Sequence, residues 1–254
     1  ECPPMRIASI RFYVEDDTAL TIKNQLTFKP SKHLHRHHNV PAQGHTVEDI
    51  EDVDLDDVVD VRVHVYTQPH IIGLKKTPQL YELGLGGSVE DKVEFVKENV
   101  GNDIAISDVF SEGDHVDVIG VTNGKGTQGP VKRFGISLKG HKSEKGRRRP
   151  GSLGGWIAQQ HIQPRVPQAG QTGYNQRTQY KNLIMKISDN PEDINVPGGF
   201  KQYGDVKTTY LLIKGSVPGP AKRLVTMIHS MRPEKQKNYT SQQITHISTQ
   251  SHQG

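Results

Sequence analysis

Between Thr122 and Ile187 the chain carries thirteen Lys or Arg residues and a single acid, Glu144. Ammonium and guanidinium groups gathered without carboxylates to neutralise them are suited to holding a polyanion. Lys125, Lys132, Arg133, Lys139, Lys142 and Lys145 lead into the cluster Arg147, Arg148 and Arg149, and Arg165 and Arg177 follow. Lysine offers phosphate a point charge, whereas arginine forks onto two phosphate oxygens or stacks on a base. The only tryptophan, Trp156, lies just beyond the arginine cluster. Its indole can stack on an unpaired base or wedge into a bend in RNA. The alternative is that Trp156 fills a core, but no apolar periodicity surrounds it.

Two motifs inside the tract extend this reading. Gly124 to Gly129, GKGTQG, has the spacing of a dinucleotide-binding loop and follows a predicted strand. What comes next does not fit, because Pro130 and VKRFG predict no amphipathic helix and the arginine cluster stands where an acidic ribose ligand belongs. Close approach of backbone to phosphates explains these glycines better, with Lys125, Lys132 and Arg133 supplying charge. Ala169 to Tyr180, AGQTGYNQRTQY, gathers Gln171, Tyr174, Asn175, Gln176 and Arg177. Such groups bond sugar and phosphate oxygens and base edges without demanding one sequence. A polar turn network that satisfies itself is the alternative.

Elsewhere the chemistry is sparse. His33, His35, His37 and His38 could ligate a transition metal, but no cysteine accompanies them and such loop tracts commonly stay unliganded. We therefore expect no metal and no cofactor. No nucleophile with a placed base, no G-x-S-x-G elbow and no H-E-x-x-H occurs, so neither catalysis nor a small-molecule substrate is expected. From Glu48 to Asp60 there are eight acidic residues and no basic one, which masks the tract in a net charge of only +4. That run reads as a solvated face. A single cysteine, Cys2, excludes an internal disulfide framework and fits a reducing intracellular compartment. No apolar run approaches the roughly 18 residues that span a bilayer, and no signal peptide opens the chain, so a cytoplasmic location without a membrane partner is expected. The first residue is Glu1 rather than Met, as expected of a processed chain or, better, of a fragment.

The elements that must position the tract are short strands. Met5 to Val14, Val58 to Thr67, His115 to Thr122, Asn182 to Ile187 and Thr208 to Gly215 place Val, Ile and Tyr with the period of two that suits a half-buried pleat. A last strand, Lys222 to Ile228, follows the turn Ser216 to Pro220. With only 33% apolar residues, 25 Gly and 15 Pro, the chain reads as mainly β, a closed or nearly closed antiparallel barrel. Ser88 followed by Asp91 predicts a capped helix over about 88–100, with Val89, Val93, Val96 and Val100 on one face and Gly101 as its stop. Lys29 to Gln43 reads as a surface loop. The basic tract shows no internal strand or helix pattern, yet both its ends must return to the barrel. It should project as a long doubled-back extension. The expected organisation is a β-barrel domain over 1–122 and 181–230, the extension over 123–180, and a surface tail over 231–254.

Several longer motifs carry a resemblance. GVTNGKGTQGPVKRFG (Gly120 to Gly135), RRRPGSLGGW (Arg147 to Trp156), VPQAGQTGYNQRTQ (Val166 to Gln179), GGFKQYGDV (Gly198 to Val206) and KGSVPGPAKRL (Lys214 to Leu224) closely resemble the universal large-subunit ribosomal protein three family, in its archaeal and eukaryotic form. PPMRIASIRFY, VYTQP and SDVFSEGDHVDVIGVT match as well, so the resemblance covers nearly the whole chain. It implies a translation-protein-type antiparallel β-barrel seated on large-subunit rRNA, beside neighbouring ribosomal proteins. The extension would reach toward the peptidyl-transferase region, with Trp156 near the inner end of a finger. It also implies rRNA contacts from Lys125, Lys132, Arg133 and Arg147 to Arg149, and from Lys222 and Arg223 in KGSVPGPAKRL. Two departures stand out: the family's basic N-terminal extension and first barrel strands have no counterpart before Pro3, and IAQQHIQPRVP replaces the Pro- and Arg-containing segment expected after Trp156. Rival readings are a ribosome assembly factor or an RNA-modifying enzyme with a phosphate-binding glycine loop.

Overall fold

The computed structural model describes residues 1–254 apart from Pro30, His37, Asn39, Ala42, 156–160, 233–243 and 252–254. The chain is mainly β. Its strands are β1 (Met5–Asp16), β2 (Ala19–Thr27), β3 (Val58–Thr67), β4 (Leu80–Gly84), β5 (His115–Val121), β6 (Thr127–Gln128), β7 (Gly170–Gln171), β8 (Gln176–Ser188), β9 (Tyr210–Ile213) and β10 (Thr226–His229). Two α-helices are described, α1 (Val89–Asn99) and α2 (Pro130–Phe134). The strands form one four-stranded sheet in the order β2-β1-β3-β4, another in the order β10-β5-β8-β9, and a two-stranded ribbon of β6 and β7. Strand pairing is antiparallel throughout the named registers. The chain divides into two compact units, one of residues 1–114, 184–212 and 239–254, the other of 115–183 and 213–238.

In the first unit, β1 and β3 pair from Met5 opposite Thr67 to Val14 opposite Val58. Ile10, Phe12 and Val61 are completely buried there, with Val63 nearly so. Removing such side chains from water stabilises the fold by about 1.5–3 kcal/mol each. Helix α1 covers this face with Val93 and Val96. Ser88 starts it as expected: its hydroxyl accepts from the Asp91 amide while the Asp91 carboxylate accepts from the Ser88 amide. The opposite face is closed by Leu34, fully buried against Ala8 and Tyr66. The segment from Lys29 to Gln43 is therefore not merely a surface loop. A short 3-10 turn at Leu34–Arg36 drives one apolar residue into the sheet.

The acidic run differs from a purely solvated face as well. Lys23 lies 3.6 Å from Asp54 and 3.5 Å from Asp57, and Lys97 meets Glu51 at 2.9 Å. Asp60 is shared by Lys92 at 2.6 Å and Arg62 at 3.0 Å. Lys23, Lys92 and Lys97, distant in sequence, together with Arg62 thus pair with four of the eight acids within the same unit.

In the second unit, Val116 and Val118 of β5 are fully buried, and Leu183 of β8 nearly so. Between those valines the pairing with β8 shifts: Val116 faces Asn182, but Val118 faces Gln179. Tyr180 and Lys181 thus oppose Asp117 alone, a β-bulge that bends the strand. Lys181 takes the left-handed conformation there, with φ of 57°. Strand β8 begins at Gln176, ahead of the predicted Asn182, because the polar stretch QRTQYK pairs with β5 through its backbone and needs no apolar alternation to do so.

Candidate nucleic-acid interface

The two limbs of the basic tract grow out of the β5–β8 pair as a continuing ladder. Beyond Val121 opposite Gln176, the Thr122 amide donates to the Asn175 carbonyl at 3.0 Å. Lys125 donates to Thr172, and Thr172 donates back to Gly126, both at 2.9 Å. Thr127 then pairs with Gln171 and Gln128 with Gly170. Gly173 permits this approach. With φ of +71° it sits where an added β-carbon would lie 2.0 Å from the Asn123 carbonyl oxygen, a distance only glycine tolerates. The expected doubling-back is thus built from main-chain hydrogen bonds, and the tract does contain strands: two residues in each limb of the ribbon, and the start of β8 from Gln176.

Past this ribbon, Pro130–Phe134 forms one helical turn, in a tract that showed no helix pattern in the sequence. Gly129 precedes it, Pro130 supplies a pre-set φ at the first helical position, and Gly135 ends it with φ of 67°. Five residues of this kind give no amphipathic face. The Arg133 guanidinium reaches across to the Gln168 carbonyl at 2.9 Å and ties the turn to the returning limb. Farther out, Lys139 and Arg147 clasp each other: the Lys139 amide donates to the Arg147 carbonyl, and the Arg147 side chain donates to the Lys139 carbonyl, each at 3.1 Å. At the base, Arg223 donates to the carbonyls of Val121 and Thr122, both at 3.0 Å, and lies over the Tyr174 ring.

The electrostatics follow from these bonds. Lys125, Lys132, Arg133, Lys139, Lys142, Lys145, Arg147, Arg148, Arg149, Arg165, Arg177, Lys222 and Arg223 are all exposed. Among the described residues none of them forms an ion pair; in the basic tract only Lys186 does, with Asp193. Where their guanidiniums are bonded, as in Arg133, Arg147, Arg177 and Arg223, the partners are neutral carbonyls. A carbonyl orients the fork while leaving its full charge outward. Tyr174 and Tyr180 present their rings to solvent, 66% and 64% exposed. Gln171, Asn175 and Gln176 lie on the same returning limb, and their bonds are partly the self-satisfied turn network: Gln171 caps Gly173, and Asn175 bonds Thr122. Trp156 lies outside the described residues, as does His37.

One pairing had no signal in the sequence. Ser9 and His64 are register partners on β1 and β3, and Ser9 Oγ lies 3.0 Å from His64 Nδ1. A hydroxyl beside an imidazole is the beginning of a nucleophile and base. Here His64 Nε2 is 3.8 Å from Glu82, whose carboxylate already accepts from Tyr13 and Arg11. Burial, and then Arg11, lower the His64 pKa, and the pair serves as a cross-strand bond within the sheet. Among the described residues no group of three or more His, Cys, Asp or Glu could hold a metal, and no helix is long and apolar enough to cross a membrane.

A mainly β scaffold that extends an un-neutralised, glycine-jointed cationic hairpin belongs to the class of polyanion-binding, and specifically nucleic-acid-binding, proteins. Comparison with known proteins narrows the class. The sequence model for Ribosomal protein L3 matches residues 1–254. The large ribosomal subunit protein uL3 of Archaeoglobus fulgidus is 41% identical over 260 residues, covering 100% of this chain and 78% of that protein. Those of Methanothermobacter thermautotrophicus and Picrophilus torridus are 43% and 40% identical, with 100% of this chain and 78% and 77% of theirs covered. The chain belongs to the ribosomal protein L3 family.

Proposed function

We propose that this chain is a structural constituent of the large ribosomal subunit, binding large-subunit rRNA and, through its extension, supporting the region around the peptidyl-transferase centre. Residues 1–122 and 181–230 would form the barrel-type body, 123–180 the arm and 231–254 a tail over the surface. Its place is the ribosome, in the cytoplasm, beside neighbouring ribosomal proteins, and its role is not catalytic. The observation that carries this reading is the row of exposed cations from Lys125 to Arg177 that have no carboxylate partner among the described residues, on limbs held by main-chain bonds. Counterion release makes such an arm bind RNA with strong salt dependence. The role proposed for Trp156 is stacking on rRNA, and Lys222 and Arg223 hold the RNA backbone near the base of the arm. Family membership leaves the assembly-factor and RNA-modifying readings without support. The test is binding of the chain to large-subunit rRNA fragments over a salt series. Replacing Arg147, Arg148 and Arg149 by Gln should flatten the slope of log K against log salt by about 2–3, at roughly 0.7–0.9 per phosphate contact. Affinity indifferent to salt, or to these substitutions, would sink the proposal.

A further inference from the structure

In the first unit the cations fall into two sets. Every Lys or Arg on a strand or on α1 meets a carboxylate, from Arg6 with Asp103 to Lys186 with Asp193. Those on the connecting segments form no ion pair among the described residues. Six of the latter, Lys29, Lys32, Arg36, Lys75, Lys76 and Lys207, are exposed and lie in three segments that the fold brings together. The rings of His33 and His70 stack with centroids 4.0 Å apart and planes 16° apart, joining the first segment to the second. Lys207 Nζ lies 3.7 Å from where a β-carbon on Gly73 would be, joining the third. The first segment is firmly seated. Leu34 anchors its middle, and its base closes at Gly44, where a β-carbon would lie 2.1 Å from the Lys29 nitrogen.

Acids are withheld from the first two segments, and in the third Asp205 stands beside Gly199. No Asp or Glu occurs in residues 18–47 or 61–81. Glu1, which approaches Lys207, is already occupied by the main-chain amides of Lys207 and Thr208 and by the Tyr203 hydroxyl. Asp103 is held by Arg6 and Gln68. The histidine tract thus has a structural role: its His33 ring splints two lysine-bearing segments. Burial, then the neighbouring His33 and Arg6, keep His70 below the usual imidazole range.

We propose that these three segments form a second RNA-binding face, which holds a stretch of rRNA phosphate backbone separate from the one held by the arm. The proposal rests on the reading of the chain as an rRNA-binding protein. Lysine is depleted from protein–protein interface cores, whereas lysine spread over rigid loops without acids is the usual footprint of backbone contact. The test is hydroxyl-radical footprinting and salt titration of the full chain on large-subunit rRNA. The quadruple variant Lys32→Gln, Arg36→Gln, Lys75→Gln, Lys76→Gln is compared with the triple variant at Arg147, Arg148 and Arg149. The quadruple variant should flatten the salt slope by about 3 and lose nucleotide protections that the triple variant retains. Should the quadruple variant fold poorly, Lys75→Gln with Lys76→Gln should show about half that change in slope. Wild-type slope and protections in these variants would overturn the second face while leaving the arm intact; an unchanged triple variant would instead strike the parent reading. Polyglutamate shielding Lys75 and Lys76 from acetylation while rRNA leaves them reactive would also overturn it, assigning the face to an acidic protein.

Discussion

The main-chain amide of Lys181 donates to the carboxylate of Asp117 at 2.8 Å, at the point where β8 carries one residue more than β5. Asp117 is 1% exposed, and it also accepts from the Ser230 hydroxyl at 2.9 Å and the Met231 amide at 3.3 Å. One buried anion thereby fixes the bulge on one side and the segment after β10 on the other. The left-handed turn at Lys181 then sends the exposed, polar half of β8 toward the arm.

Replacing Asp117 by Ala should leave these donors without an acceptor and destabilise the second unit by roughly 1–3 kcal/mol. Urea unfolding and faster exchange of the Lys181 amide are the readouts. Burial raises the Asp117 pKa, but the three donors outweigh it and the net shift is downward. Its contribution to stability is present in full above the unfolded carboxylate value of about 3.9 and is lost as pH falls through the lower folded value. Acid should therefore loosen the bulge in wild type below about pH 4, and Asp117→Asn should remove that dependence.

His64 gives a second pH effect, in the first unit. Burial, then the charge of Arg11, lower its pKa, with Glu82 opposing. A folded value below the unfolded one of about 6.5 means that stability is complete above that pH and declines as pH falls toward the folded value. Unfolding midpoints measured at pH 7.5 and pH 5.5 should differ in wild type and differ less in His64→Gln. Equal slopes in both proteins would refute the assignment.

Gly173→Ala should disturb the root of the arm without unfolding the sheet below it. The left-handed backbone costs a residue with a β-carbon about 1–2 kcal/mol, and the clash with the Asn123 carbonyl adds to that. Amide exchange at Lys125 and Thr172 should quicken, while that of Val116 and Val118 stays slow. RNA affinity should fall although no charge has changed.

Arg133→Lys separates charge from placement. The ammonium keeps the phosphate contact but cannot reproduce the planar fork that reaches the Gln168 carbonyl. The salt slope should match wild type, while the affinity falls and the Gly170 amide exchanges faster. Affinity and Gly170 exchange equal to wild type in Arg133→Lys, with slope lost only in Arg133→Gln, would show that only the charge had mattered.

What the sequence revealed was what alternation and charge can encode. Strands β1, β3 and β5 were legible because Ile10, Phe12, Val61, Val63, Val116 and Val118 recur every second residue on a buried face. Strand β2 was not, because it lies at the sheet edge with Leu20 and Ile22 largely exposed, so its polar and apolar residues answer to no core. Strand β4 is five residues long, with no buried residue among them. The start of β8 was hidden by the bulge at Lys181, which breaks any period of two. In the arm, residue types announced the charge, but the rungs that shape it are main-chain bonds, which leave no trace in side-chain pattern. The face around His33 and His70 was invisible for another reason: its cations come from segments far apart in sequence and meet only after folding.

The rungs from Thr122–Asn175 to Gln128–Gly170 have a consequence for how such an arm changes over generations. Chain departs at Gln128 and is received at Gly170, so residues gained or lost beyond the Arg133–Gln168 tie and the Lys139–Arg147 clasp lengthen or shorten a loop whose ends are already closed. Doubling the length of such a loop costs only about 0.6 kcal/mol in closure entropy. Reach into the partner is therefore an inexpensive variable for selection to adjust, whereas the direction of departure is set by the sheet and resists drift.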